Sequence, residues 1–161
     1  MTDPKNVDYH EIVRRGDTEV MEFFLKAGLD ANLYDERGFS LLMLAAYNDQ
    51  RPMVELLLQH GADPDSPDRN GNTPLMGTAF KGYVGIAQTL LTHNANPNAR
   101  SAAGATPLMM AAMFAQQELI ELLLQYGADP TLQDAKGNTA LSIARANGHS
   151  HLIPLLQATQ A

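Results

Sequence analysis

Residues 68–100 read DRNGNTPLMGTAFKGYVGIAQTLLTHNANPNAR, and this stretch carries a helix start, a helix stop and an extended exit. Thr73 followed by Pro74 is a strong start. The hydroxyl accepts an orphan backbone N–H, and Pro at the first helical position loses no hydrogen bond and brings its φ preset. Asn94 stands where a helix stops in a left-handed conformation, which disfavours residues with a β-carbon by roughly 1 kcal/mol. Pro97 then confines the residue before it to extended geometry, so the chain must leave the helix.

The same block recurs on both sides. Residues 35–67 read DERGFSLLMLAAYNDQRPMVELLLQHGADPDSP and residues 101–133 read SAAGATPLMMAAMFAQQELIELLLQYGADPTLQ. A shortened copy, DAKGNTALSIARANGHSHLIPLLQ, begins at Asp134. Gly38, Gly71, Gly104 and Gly137 fall 33 residues apart, the mark of a stacked-repeat architecture. Residues 8–34 read as a worn N-terminal capping half-unit, with Gly16 and Gly28 in phase. The division expected is one domain over 1–161: cap 8–34, full units 35–67, 68–100 and 101–133, and C-terminal cap 134–161.

The second helix of each unit is apolar on more than one side, as in Met53, Val54, Leu56, Leu57 and Leu58, or Leu119, Ile120, Leu122, Leu123 and Leu124. Such a helix needs cover from both neighbours. Ala45, Ala46, Ala79, Ala111 and Ala112 let the short first helices approach closely, and the difference in girth between first and second helices should curve the row and leave a concave face. The ends are diluted by polar residues: Glu11, Arg14, Arg15 and Asp17 in front, Arg145, Asn147, His149, Ser150 and His151 behind. Pro154 falls inside the last helix pattern, where Pro costs about 3 kcal/mol, so fraying is expected there.

The chain resembles the ankyrin-repeat family over nearly its whole length, in particular its small free-standing bacterial members. Thr73-Pro74-Leu75 and Thr106-Pro107-Leu108 match the T-P-L signature. Ala45-Ala46, Ala111-Ala112, the Leu-Leu pairs, Gly61-Ala62-Asp63 and Gly127-Ala128-Asp129 complete the match. The His that usually follows T-P-L is replaced by Met43, Met76, Met109 and Ser142, so any hydrogen bond made by that His must be replaced or absent. The resemblance implies an all-α solenoid of paired antiparallel helices joined by extended hairpin-like turns. It also implies that partners bind at the turn tips and the outer side of the first helices.

Composition narrows the function from another side. With 161 residues, 45% hydrophobic and 18% charged, the chain has the make-up of one folded domain. A net charge of -7 disfavours nucleic acid and anionic membranes as partners. Zero Cys removes disulfides, thiol nucleophiles and thiolate metal cages. The opening MTDPKNVDYHEIV lacks an apolar leader core and no stretch reaches the roughly 18 apolar residues of a span, so the cytoplasm is the expected location.

Residues the stack can spare are the candidates for function. On the tips these include Tyr34, Arg37, Phe39, Arg69, Arg100 and Lys136; on the first helices, Tyr47, Phe80, Lys81, Met113 and Phe114. Tyr47, Phe80 and Met113 occupy one equivalent position in three successive units, and a row of aromatic and Met side chains suits a protein-binding surface. Phe39 takes a tip position filled elsewhere by Asn72, Ala105 and Asn138, so the turn does not require its bulk. The basic residues beside the row suggest an acidic or mixed partner segment, although Arg37 and Arg100 can equally be plain solvated tips. Met43, Met76, Met109 and Met110 read chiefly as core filler, with a groove as the second reading.

Catalysis finds little support. His60 and His93 are equivalent helix-end residues, placed where a cation meets the negative end of the helix dipole. His149 and His151, at i and i+2, do not face one another on a helix, and no metal site or cofactor is expected. Asp30, Asp63 and Asp129 share their position with Asn96, which points to turn hydrogen bonding rather than acid–base work. None of the G-x-S-x-G, G-x-x-x-x-G-K, H-E-x-x-H or calcium-loop patterns occurs. The expectation is a non-enzymatic monomer that binds a partner protein as a regulator, inhibitor or scaffold. Alternatives are a small-ligand or catalytic module with a pocket between repeat tips, and a self-associating structural protein.

Overall fold

The computed structural model describes residues 6–157. Each unit begins at a capped helix start. Ser40, Thr73, Thr106 and Thr139 take extended backbone, and their hydroxyls accept the N–H of Met43, Met76, Met109 and Ser142. The position of the family His is therefore used through its backbone; in the last unit Ser142 Oγ also accepts the Thr139 N–H, closing a reciprocal cap. From these starts run α3 (Leu41–Tyr47), α5 (Pro74–Lys81), α7 (Pro107–Met113) and α9 (Ala140–Ala146). After a short turn come α4 (Arg51–Gln59), α6 (Val84–Thr92) and α8 (Gln117–Gln125). Residues 8–34, expected as a half-unit, form a pair of helices, α1 (Tyr9–Arg15) and α2 (Thr18–Lys26).

The second helices stop as their sequences require. Gly61, Asn94 and Gly127 have φ of 88°, 68° and 87°, and the chain then turns on Asx motifs. Asp30, Asp63, Asn96 and Asp129 each accept the N–H two residues on. At the tips, one carboxylate oxygen of Asp35, Asp68 and Asp134 accepts the N–H groups two and four residues ahead. Gly104 shows why the tip glycine is required: its φ is +77°, and a β-carbon would sit 3.0 Å from the Ala135 nitrogen of the next tip.

First helices pack on first helices (α1, α3, α5, α7, α9), and second on second through α2, α4, α6 and α8. Ala45, Ala46, Ala79, Ala111, Ala112 and Ala144 are buried between the first helices, while Leu57, Leu90 and Leu123 are fully buried in the second layer. Met43, Met76 and Met109 are core residues as well.

A polar ladder ties each unit to the next. Asn32 donates to the Gly61 carbonyl and accepts the Asp63 N–H; Asn98 does the same with Gly127 and Asp129. Asp65, the member between them, accepts the Asn96 N–H, but its carboxylate has no N–H to offer. Successive tips are also joined, through Ala102 N–H to the Asn70 carbonyl and Ala135 N–H to the Ala103 carbonyl. The tips are thus less spare than their sequence suggests.

The end of the chain corrects one expectation. Asn147–Gly148 ends α9, a 3-10 turn covers Ser150–Leu152, and α10 restarts at Ile153–Gln157. Pro154 therefore lies in a first turn rather than a helix interior, where its missing N–H matters little. His149 Nδ1 lies 3.0 Å from the Ala112 carbonyl and ties this unit to α7. Residues 158–161, toward which the expected fraying extends, lie outside the described residues.

Candidate partner-docking face

The row expected on the first helices divides into anchors and free side chains. Phe80 and Met113 are 55% and 42% exposed, which makes them the free members. Tyr47 is half-buried: its ring fills the space left by Gly77 in the next unit, where a β-carbon would lie 2.6 Å from Tyr47 Cε1. Burial, followed by the Asp68 carboxylate, pushes the Tyr47 phenol above its usual range. Phe39, expected to stand free, is half-buried too, rests against the core and meets Tyr47 edge-on at 6.1 Å. Phe114 is half-buried and edge-on to Phe80 at 5.0 Å, so Phe80 leans across the junction between α5 and α7.

Between Tyr47 and Phe80 runs a shallow groove of about 140 Å³ lined by Tyr47, Asn72, Met76, Gly77, Phe80 and Met110. Of the four methionines, half-buried Met110 and the wall of buried Met76 supply this groove; Met43 and Met109 do not. Gly77 is absent from the residues the sequence singles out, whereas Asn72 is a tip position and Met110 enters through the second, groove reading of the methionines. Gly77 carries a usable signal, since it interrupts a helix position held by Leu44, Met110 and Ile143 in the other units.

The basic residues also divide. Arg69 packs over Gly38 and donates to the Glu36 carbonyl, and Arg100 donates to the Gln133 carbonyl, so both brace neighbouring turns. Lys81 Nζ lies 5.6 Å from the Phe80 ring centre, and the Arg37 guanidinium 6.0 Å from that of Phe39. Tyr34, 44% exposed at the first tip, has its phenol pushed up by burial and then by Asp63.

His60 and His93 are helix C-caps, and His93 Nδ1 lies 2.8 Å from the Thr89 carbonyl. The His149 and His151 ring centres are 6.3 Å apart. Among the described residues no group of three or more His, Asp or Glu can hold a metal ion. Among the same residues no helix is long and apolar enough to cross a membrane.

Paired helices on a 33-residue period, joined by Gly-turned hairpins and stacked first on first and second on second, define an α-helical repeat solenoid. The family described as "Ankyrin repeats (3 copies)" matches residues 9–101 and 93–160, and the chain belongs to the ankyrin-repeat family. No curated protein matches it significantly. Ankyrin repeats generally mediate protein–protein interaction.

Proposed function

We propose that the protein is a non-catalytic, monomeric, cytoplasmic binding module that docks a partner protein on its concave first-helix face, with the tips as a flanking rim. The observation that carries this reading is the exposure of Phe80 and Met113 at equivalent places on successive first helices, with Phe80 forming one wall of the Tyr47–Phe80 groove. Large apolar side chains on adjacent rigid helices are the groups from which interface hot spots are built. Phe114 broadens the ridge, and Lys81 beside Phe80 favours a partner segment with acidic residues at its edge. The mechanism is steric: the bound partner is masked, held or tethered, which covers regulator, inhibitor and scaffold.

The test uses Phe80→Ser with Met113→Ser, chosen because neither side chain is buried. Helicity and the unfolding midpoint should remain close to wild type, and capture of the partner in affinity purification followed by mass spectrometry should be lost. Normal folding with undiminished capture rejects the assignment. Light scattering across a hundredfold dilution checks the monomer.

A further inference from the structure

All the methionines except Met1 lie among the described residues, and their sulfurs differ in access. Met21, Met43, Met53, Met76 and Met109 are at most 2% exposed, sealed between stacked helices. Met110 is half-buried against the core, along the Tyr47–Phe80 groove. Among the described methionines only Met113 opens fully to solvent, on the face where Phe80 holds the equivalent place one unit earlier. It is the last residue of α7, and the Phe114 N–H behind it closes on the Ala112 and Met110 carbonyls, so the helix end is finished by backbone bonds. With no cysteine in the chain, thioethers are its only sulfur.

Oxidation of a thioether needs room at the sulfur. A sulfur lone pair attacks one oxygen of a peroxide along the O–O bond, and water must solvate the oxygen that leaves. The S–O bond forms as the O–O bond breaks: thioether and hydrogen peroxide become sulfoxide and water, and the peroxide gains the two electrons that sulfur loses. The five buried sulfurs cannot be approached in this way without parting the helices around them. Met113 can be approached in the folded chain. The product replaces a flexible apolar side chain with a polar one that carries a strong acceptor oxygen. On the free protein water satisfies that oxygen and the stack is untouched. Under a docked partner the oxygen would be buried beside Phe114, whose ring has no donor to give it.

We propose that Met113 is a reversible oxidation site, where one oxygen taken from hydrogen peroxide weakens docking on the Phe80–Met113 ridge. The oxidation itself stands on the access to one sulfur; its effect on docking rests on the function proposed above. Having no thiol, the chain cannot reduce the sulfoxide itself, and the reversal falls to the methionine sulfoxide reductases.

The full chain is treated with hydrogen peroxide, quenched with catalase at successive times and digested for mass spectrometry. Met113 should gain one oxygen about tenfold or more faster than the five buried methionines, with Met110 between them, and all should react alike once the chain is unfolded in guanidinium. The singly oxidised protein should keep the helicity and unfolding midpoint of the untreated one. Its capture of the partner should fall about tenfold, as expected for burying an unsatisfied polar group, and return after treatment with methionine sulfoxide reductases of both stereospecificities. In Met113→Leu, whatever capture remains should no longer respond to peroxide. Uniform reaction of the methionines in the folded chain, or Met110 reacting ahead of Met113, overturns the proposal and leaves the docking face standing. Undiminished capture by the oxidised protein, beside loss of capture in Phe80→Ser with Met113→Ser, overturns the switch alone. Undiminished capture in both overturns the switch and the docking face together.

Discussion

Asp65→Asn should make the protein more stable, and the neighbouring units supply the magnitude. Asn32 and Asn98 each make two bonds to the following unit, donating to a helix-end carbonyl at 3.1 Å and accepting an N–H at 2.7 Å. Asp65 makes only the second, to Asn96 at 2.8 Å. An amide at position 65 keeps that acceptor and brings a donor to the Asn94 carbonyl, a gain of about 1 kcal/mol for one hydrogen bond. Burial, against the pull of the Asn96 N–H and assisted by the nearby Asp63 carboxylate, raises the Asp65 carboxyl above its ordinary 3.8. A carboxyl whose folded pKa is raised binds its proton more tightly in the folded state. Its contribution to stability is therefore fully present below the unfolded value and is lost as pH rises through the folded one. Asn escapes that loss, so the advantage of the variant should be larger at pH 7 than at pH 3. For a chain of this size 1 kcal/mol corresponds to about 2–4 °C in Tm. Thermal unfolding followed at 222 nm across pH 3–8 measures the difference directly. An unchanged or lower Tm at pH 7, or an advantage that grows toward acid, would refute the account of the ladder.

Gly77→Ala sets helix propensity against fit. Ala is better than Gly in a helix by about 1 kcal/mol, but the new β-carbon meets the Tyr47 ring, so the substitution should be neutral or destabilising in wild type and stabilising by about 1 kcal/mol in Tyr47→Ala. A denaturant double-mutant cycle reads that sign change. Gly104→Ala should cost at least about 1 kcal/mol, because it combines left-handed strain with a collision against the Ala135 nitrogen; an unaltered urea midpoint would contradict it. Leu90→Ala, in the centre of the second-helix layer, should lose about 2–5 kcal/mol in equilibrium unfolding, whereas Phe80→Ser, which loses chiefly the edge-on contact with Phe114, should cost no more than about 1.5 kcal/mol.

Local chemistry was readable wherever one residue's own backbone decides the outcome. Thr73-Pro74 starts a helix, Asn94 takes a left-handed stop, and Asp63 and Asp129 bond their own turns, as their side chains dictate at short range. The surface was harder to read because exposure depends on the neighbour 33 residues away. Phe39 and Tyr47 look as free as Phe80 in one dimension; Gly77 and the core beneath the first tip draw them inward. Arg69 reads as a partner-binding tip, and Arg100 as a partner-binding or solvated one, until the carbonyls of Glu36 and Gln133 come within reach. Pro154 looked like a helix breaker until the 3-10 turn before it moved the helix start.

The amino-acid order alone determined the repeat, its period, its caps and its stops, since these rest on backbone preferences and on apolar patterns that recur unit by unit. Only the stacking decided which large side chains remain in solvent and which arginines are bound to neighbouring turns. Those outcomes depend on distances between units, and such distances exist only once the helices have packed.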